Sequence, residues 1–175
     1  MAASEIDNRL NWNRDTTPLI SVFDGLFERR YRTVLRAGGD EPFYRAATQL
    51  SDRHVIFFRA DTFSSALHEV AHWCIAGARR RQIDDYGYWY QPDGRTTKQQ
   101  RVFEAVEVKP QALEWLFADA CGHPFVLSAD NLSGSIGCSP EFELAVRTQV
   151  ARYRADGMPA RAKLFAKELV ALGPV

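Results

Sequence analysis

The sequence predicts one α+β domain over residues 1–175, mostly helical with a small mixed sheet. The chain has 46% hydrophobic and 25% charged residues, a balance typical of a single globular domain with a sizeable core. Apolar residues recur at helical spacing in several long segments, whereas few short segments are rich in β-branched and aromatic residues. A His-Glu-Val-Ala-His sequence at residues 68–72 lies inside one helical segment. That spacing predicts a metal site on the helix.

The first half of the chain contains four predicted segments. They are a polar, irregular lead-in over 1–17, an amphipathic helix over 20–35, a strand over 54–58 and a helix over 64–81. Turn and helix-capping residues at 61–64 precede the second helix. This helix is apolar on most of its faces, and it ends at Arg79–Arg81, where cations suit the negative end of the helix dipole.

The second half is predicted to be mainly helical. We expect a strand and a turn over 85–94, helices over 98–108 and 111–120, a loop over 122–139, and helices over 140–155 and 159–172. Thr97, with Gln100 three residues later, resembles a capping box. Pro110 lacks the amide hydrogen that a helix interior needs, so we expect a kink or a break there.

Charge and cysteine content indicate which partners and which cellular compartment to expect. The chain has 22 basic residues (lysine and arginine) and 22 acidic residues (aspartate and glutamate). It therefore lacks the excess of positive charge that would predict a nucleic-acid partner. Cys74, Cys121 and Cys138 form no C-x-x-C pair, which favours a reducing compartment over a disulfide framework. The chain shows neither a signal-peptide pattern nor an apolar run long enough to span a bilayer. We therefore expect a cytoplasmic protein without a membrane partner.

His68 and His72 are the strongest candidate metal ligands. Residues four apart lie on one helical face about one turn apart, so the two imidazoles can converge on one ion. Glu69 between them points near the same site and can act as a catalytic base or orient a ligand. The alternative is a helix that buries two histidines without a metal.

A third protein ligand is expected from a later helix. Glu107 and Glu104 stand three residues apart, and Glu107 is the preferred ligand because it directly precedes the predicted kink. The other glutamate is expected to orient a histidine N–H, or to be the ligand in place of Glu107. A solvated acidic helix face is the remaining alternative.

The donor set does not identify the metal or the reaction. Two histidines and a carboxylate bind zinc in peptidases, where Glu69 would be the general base, and Fe(II) in non-haem oxygenases. A zinc metallopeptidase is therefore the alternative to an iron oxygenase. A structural metal in a non-catalytic adaptor is disfavoured, because no cysteine lies at a suitable spacing to close the site.

Several runs of the sequence resemble the elongation factor P hydroxylase family. They lie at 68–73, 76–77, 80–82, 85–95, 103–115 and 130–132. The resemblance implies a bacterial non-haem iron enzyme of the monooxygenase type. Its substrate would be a lysine of elongation factor P that carries an added β-lysyl group. It also implies a zincin-like scaffold with His68, His72 and a glutamate of the 104/107 pair around one divalent metal, most simply Fe(II), with zinc as the alternative.

The β-lysylated lysine that the resemblance implies as substrate carries two positive charges, and its binding needs carboxylates and aromatic faces. The segment after the predicted helix over 64–81 is rich in both. The candidate substrate-binding residues are Asp85, Tyr88, Trp89 and Asp93. Alternatively, these aromatics belong to the core and the aspartates cap turns. Arg80 and Arg81 are candidates for docking elongation factor P, unless they only complement the helix dipole.

Overall fold

The computed structural model describes residues 14–38, 40–59, 62–85, 95–129 and 137–173. The helices of these residues are α1 (Thr17–Tyr31), α2 (Phe63–Ile75), α3 (Thr97–Cys121), α4 (Pro140–Asp156) and α5 (Ala160–Leu169). The strands are β1 (Thr33–Ala37), β2 (Phe43–Arg45) and β3 (His54–Phe58), and short 3-10 turns cover Arg80–Gln82 and Val170–Leu172. The predicted α+β class, mostly helical, is confirmed.

The three strands form one mixed sheet in the order β1-β3-β2. Strand β3 is parallel to β1 and antiparallel to β2, so that Ile56 pairs with Leu35 on one side and with Tyr44 on the other. Leu35, Ile56 and Phe58 are fully or almost fully buried and join the main core. The small mixed sheet was therefore predicted correctly.

Helix α2 packs in the centre of this core. Leu67 and Val70 are fully buried, and the Trp73 ring lies 5.2 Å from Phe23 and 4.9 Å from Phe27, measured between ring centroids. Each large buried side chain contributes roughly 1.5–3 kcal/mol, so these contacts hold α2 firmly against α1. The face of α2 that they leave open carries His68, Glu69 and His72 of the His-Glu-Val-Ala-His motif.

Helix α3 is a single helix of 25 residues, and the two helices predicted on either side of Pro110 were wrong. Pro110 is buried inside α3, where packing against α2 and α4 keeps the chain helical despite one missing backbone hydrogen bond. A capping box begins the helix one residue earlier than predicted, at Thr96 and Gln99. Gly122, in the left-handed conformation with φ of 65°, ends it.

The predicted ends of the first two helices also need correction. Helix α1 ends at Tyr31, because residues 33–37 pair with β3 as a strand instead of continuing the helix. Helix α2 ends at Ile75 rather than at residue 81. Hydrophobic spacing could not place the end of α1, since a short buried strand directly after a helix continues the same apolar pattern.

The remaining predictions concern the ends and connections of the chain. Helices α4 and α5 lie close to their predicted positions. Of the predicted strand and turn, Asp85 forms an isolated antiparallel bridge with Tyr44, and residues 86–94 lie outside the described residues. No helix in the described part of the chain combines the length and the apolar character that crossing a membrane requires. The single domain over 1–175 stays a prediction.

Candidate metal centre

His68 and His72 of α2 face Glu107 of α3 across the packed interface between the two helices. The two histidine Nε2 atoms are 3.0 Å apart. Glu107 Oε2 lies 3.5 Å from His68 Nε2, and Glu107 Oε1 lies 3.2 Å from His72 Nε2. Among the described residues, these three form the one group of potential ligand atoms that is compact enough to hold a metal ion.

The spacing of the three donors fits a transition metal. Zinc-type ions bind nitrogen and oxygen at about 2.0–2.2 Å, so two ligands of one ion are separated by roughly 3.0–3.5 Å at angles between 90° and the tetrahedral value. The three separations of 3.0, 3.2 and 3.5 Å fall in this range. Two imidazoles and one carboxylate suit zinc and Fe(II) alike.

Glu114 holds one of the histidines in place. Its Oε2 atom lies 2.8 Å from His68 Nδ1, and its side chain is only 12% exposed. A carboxylate at this nitrogen keeps a proton on Nδ1 and fixes the ring so that Nε2 faces His72 and Glu107. The sequence analysis missed Glu114, although it stands two helical turns after Glu107 and hence on the same face of α3.

Gln111 positions the third candidate ligand and was also missed. Its Nε2 atom lies 3.4 Å from Glu107 Oε2 and donates to the Ser128 carbonyl at 2.8 Å. The Ser128 amide donates in return to Gln111 Oε1 at 3.0 Å. The loop after α3 therefore fixes Gln111, which in turn orients Glu107 one turn away.

Glu104 has a different position from the one predicted. Its carboxylate accepts hydrogen bonds from the Ser139 amide at 3.0 Å and from the Ser139 hydroxyl at 2.6 Å. Ser139 begins α4, where its hydroxyl also accepts from the Phe142 amide. The structure thus places Glu104 against the start of α4 and not against a histidine, and Glu114 occupies the position predicted for the orienting carboxylate.

The ionisation of the cluster follows from its mixture of imidazoles and carboxylates. Burial by itself would lower the pKa of His68, but the nearby Glu114 and Glu107 carboxylates raise it to about 10. Burial would raise the pKa of Glu107, but His72 and His68 lower it to about 2. At neutral pH the metal-free cluster therefore holds a proton on His68, which a metal ion would have to displace.

Glu69 lies beside the cluster and lines the same cleft. Burial is the main cause that raises its pKa, with His68 and His72 opposing the rise and Glu107 adding to it. A carboxyl group with a raised pKa next to two imidazoles is suited to hold or pass a proton. Its predicted catalytic role stays a prediction.

The candidate metal ligands His68, His72 and Glu107 lie on the wall of a large cleft with a volume of about 1290 Å³. Asp85 lines this cleft, but its carboxylate is paired with the Arg80 guanidinium at 2.5 Å. The other predicted substrate-binding residues, Tyr88, Trp89 and Asp93, lie outside the described residues. Their predicted role remains untested.

The two arginines predicted to dock a partner both have contacts within the chain. Arg80 pairs with Asp85, and the Arg81 Nη1 atom donates to the Ala76 carbonyl at 2.5 Å. Arg161 of α5 donates to the same carbonyl at 2.6 Å. Two guanidinium groups therefore bind the C-terminal end of α2, which is the arrangement expected for cations that complement a helix dipole.

Comparisons with known proteins show the family to which the chain belongs. A sequence model described as "Elongation factor P hydroxylase" matches residues 22–172. The chain is also similar to a protein of Haemophilus influenzae named elongation factor P lysine hydroxylase. The two are 50% identical over 153 residues, which cover 87% of this chain and 86% of the relative. The chain that carries the His68, His72 and Glu107 cluster therefore belongs to the elongation factor P hydroxylase family.

Proposed function

We propose that this chain is a metal-dependent hydroxylase that acts on a lysine of elongation factor P, and that this lysine carries an added β-lysyl group. The observation that carries the proposal is the convergence of His68, His72 and Glu107 beside an open cleft, in a chain of this family. The name of the 50% identical relative supports the same substrate. The cytoplasm, where translation takes place, is the proposed compartment.

The proposed cofactor is one Fe(II) ion held by His68 Nε2, His72 Nε2 and the Glu107 carboxylate. Held by these three residues, Fe(II) would activate O2, the oxidant, for the hydroxylation. Glu114 would keep the His68 ring in the orientation that presents Nε2, and Gln111 would do the same for Glu107. We propose that the motif helix, with its third ligand on the following helix, is the zincin-like arrangement that the family resemblance implies.

The cleft suits a long cationic side chain. Its volume of about 1290 Å³ exceeds what the reactive end of one lysine derivative needs. Glu69 and Glu114 line the cleft next to the metal ligands and offer carboxylates to ammonium groups. Closely packed α2 and α3 form one wall of the site, which restricts the approach of water from that side.

A zinc metallopeptidase is the competing function, because the His-Glu-x-x-His spacing alone allows it. In a peptidase, Glu69 must take the proton from the attacking water, so Glu69→Gln would remove nearly all activity. In a hydroxylase, Glu69 is needed only to orient groups or to pass a proton.

The deciding experiment uses the chain purified without oxygen and loaded with either Fe(II) or Zn(II). It is mixed with β-lysylated elongation factor P in air together with a chemical reductant, which supplies the two electrons that reduce the second oxygen atom of O2 to water, and the substrate mass is measured. We expect one added oxygen atom with Fe(II), and no cleavage with either metal. Glu69→Gln should keep its metal and hydroxylate more slowly, while Glu168→Gln on the exposed side of α5 serves as the matched control. Peptide cleavage by the parent chain that disappears in Glu69→Gln would reject the hydroxylase proposal.

A further inference from the structure

The outer face of α3 carries a continuous row of exposed cationic and small apolar residues. We call it the α3 basic stripe, and its members are Lys98, Arg101, Val102, Ala105 and Lys109. At 3.6 residues per turn these positions fall within about a third of the helix circumference. All five are exposed, and Val102 has 63% of its surface open to solvent.

The acidic residues of the same segment point the other way. Residues 97–109 contain two glutamates, Glu104 and Glu107, and both are buried. Glu114, two turns further on, contacts His68. The exposed side of this half of α3 is therefore purely cationic, although the whole chain has a formal net charge of zero.

Within the part of the chain that the structure describes, the cations of the stripe have no acidic partner. Among the described residues, no hydrogen bond or ion pair involves the side chains of Lys98, Arg101 or Lys109. Two other exposed arginines do have acidic partners, since Arg36 pairs with Asp24 and Arg154 pairs with Asp119. What distinguishes the stripe is that its cations lie together on one face of one helix. The stripe thus concentrates positive charge that the fold leaves available to another molecule.

Helix stability does not explain the stripe. Lys98 and Arg101 lie in the first two turns of α3, next to the positive end of the helix dipole, where cations are unfavourable. Helix α4 shows the arrangement that favours stability, with Glu141 and Glu143 in its first turn. Helix α3 has cations where α4 has glutamates, so helix stability does not account for the positive charge at the start of α3.

The stripe leads directly to the metal ligands. A shallow groove of about 560 Å³ runs along it, and two residues that line this groove, Ala105 and Val106, also line the large cleft. Lys109 lies on the wall of the cleft as well. A protein seated on the stripe would therefore have a side chain within reach of His68, His72 and Glu107.

We propose that the α3 basic stripe is the docking surface for an acidic face of the protein substrate whose lysine enters the cleft. This inference rests on the proposed function. Lys98 and Arg101 would attract the acidic face, and Val102 with Ala105 would provide a small apolar contact beside the charges. Such pairing acts mainly on the association rate and weakens as salt is added.

The test compares two charge reversals of equal size. One variant carries Lys98→Glu and Arg101→Glu, and the control carries Lys163→Glu and Lys167→Glu on the exposed face of α5, away from the cleft. Glutamates at the start of α3 suit the helix dipole, so unfolding of α3 cannot explain a loss. Val102→Asp is a second, independent variant of the stripe.

The first measurement is the association of each chain with intact β-lysylated elongation factor P at low and at moderate salt. We expect the stripe variant to associate about tenfold more slowly at low salt, the difference to shrink with salt, and the control to behave like the parent chain. Val102→Asp should also weaken binding. Equal binding by the stripe variant and the control, or no binding by the parent chain, would overturn the docking surface.

The second measurement separates this proposal from the proposed function. Hydroxylation is followed with intact elongation factor P and with a short peptide that contains the modified lysine. The stripe variant should lose kcat/KM on the intact protein about tenfold and keep its rate on the peptide within about twofold. If the parent chain binds through the stripe but hydroxylates neither substrate, the proposed function is rejected and the docking surface remains supported.

Discussion

Two histidines of this protein, His68 and His123, lie in protected places, and their pKa values move in opposite directions. The carboxylates of Glu114 and Glu107 raise the pKa of His68 to about 10 despite its burial. Burial, with a smaller contribution from Arg14, lowers the pKa of His123 to about 4. The difference comes from the neighbouring carboxylates, which outweigh burial at His68, whereas the charged neighbour of His123 is the cation Arg14.

The surroundings of the two rings match these values. His68 lies on the face of α2 that meets the acidic side of α3. His123 follows the end of α3, contacts the Phe63 ring at 4.7 Å between centroids, and has its Nε2 atom 2.8 Å from the Ser64 hydroxyl. A neutral ring in such a setting contributes to packing. Among the described residues, His123 belongs to no group of potential metal ligands.

The largest expected effect comes from removing an imidazole of the cluster. His68→Ala or His72→Ala should abolish metal binding, because two remaining protein ligands hold a metal far more weakly than three. We expect metal affinity to fall by more than the roughly 100-fold loss seen when a residue that hydrogen-bonds to a metal ligand is replaced. His123→Ala should keep its metal and lose only folding stability. Metal content after dialysis checks all three, and full occupancy in His68→Ala would reject the assignment.

The two glutamates of α3 provide the next test. Glu107→Gln should lose the metal, whereas Glu104→Gln should keep it and unfold at a lower denaturant concentration. We expect the second change to cost about 1–3 kcal/mol in the free energy of unfolding, because it disturbs two hydrogen bonds to Ser139. Metal analysis and urea unfolding of both variants are the measurements. The reverse ranking of metal loss would make Glu104 the ligand.

Glu114→Gln should weaken metal binding roughly 10–100-fold, since it removes the carboxylate that orients His68. It should also change the pH dependence. In the parent chain the affinity should rise with pH through the neutral range, because the metal must displace a proton from a group whose pKa is about 10. The variant lacks the main cause of that raised pKa, so its affinity should level off at a lower pH. Chelator competition at several pH values measures both, and identical curves would contradict the role of Glu114.

The smallest effect concerns His123 and folding stability in acid. Its pKa of about 4 in the folded chain lies below the ordinary value of 6.5, so the unfolded chain binds the proton more readily. This group therefore costs no stability above pH 6.5, and it destabilises the fold progressively as the pH falls towards 4. At pH 4.5 the cost is about 2–3 kcal/mol.

The variant His123→Asn isolates this contribution. The difference in the free energy of unfolding between pH 7 and pH 4.5 should be smaller in the variant than in the parent chain, while the titration of the carboxylates is common to both. Urea unfolding at the two pH values is the measurement. An equal difference in both chains would show that His123 titrates normally.

Local patterns predicted much of the fold. The strand over 54–58 has the predicted limits, and α4 and α5 lie within a few residues of theirs, since their signals are confined to a few neighbouring residues. Residues 33–35 of the strand over 33–37 were predicted as helix, because the pairing of this strand with β3 joins residues about twenty positions apart. The continuity of α3 through Pro110 likewise depends on packing against other helices.

In the candidate site, too, some features follow from local sequence and others only from packing between distant parts of the chain. The sequence by itself put His68 and His72 on one face of one helix, because a spacing of four residues is a property of the helix and needs no other contact. Only the tertiary structure set Glu107 beside them, turned Glu104 to Ser139 and brought Glu114 to His68. Which side of α3 meets α2 is decided by the burial of side chains from distant parts of the chain. No spacing within a single helix contains that information.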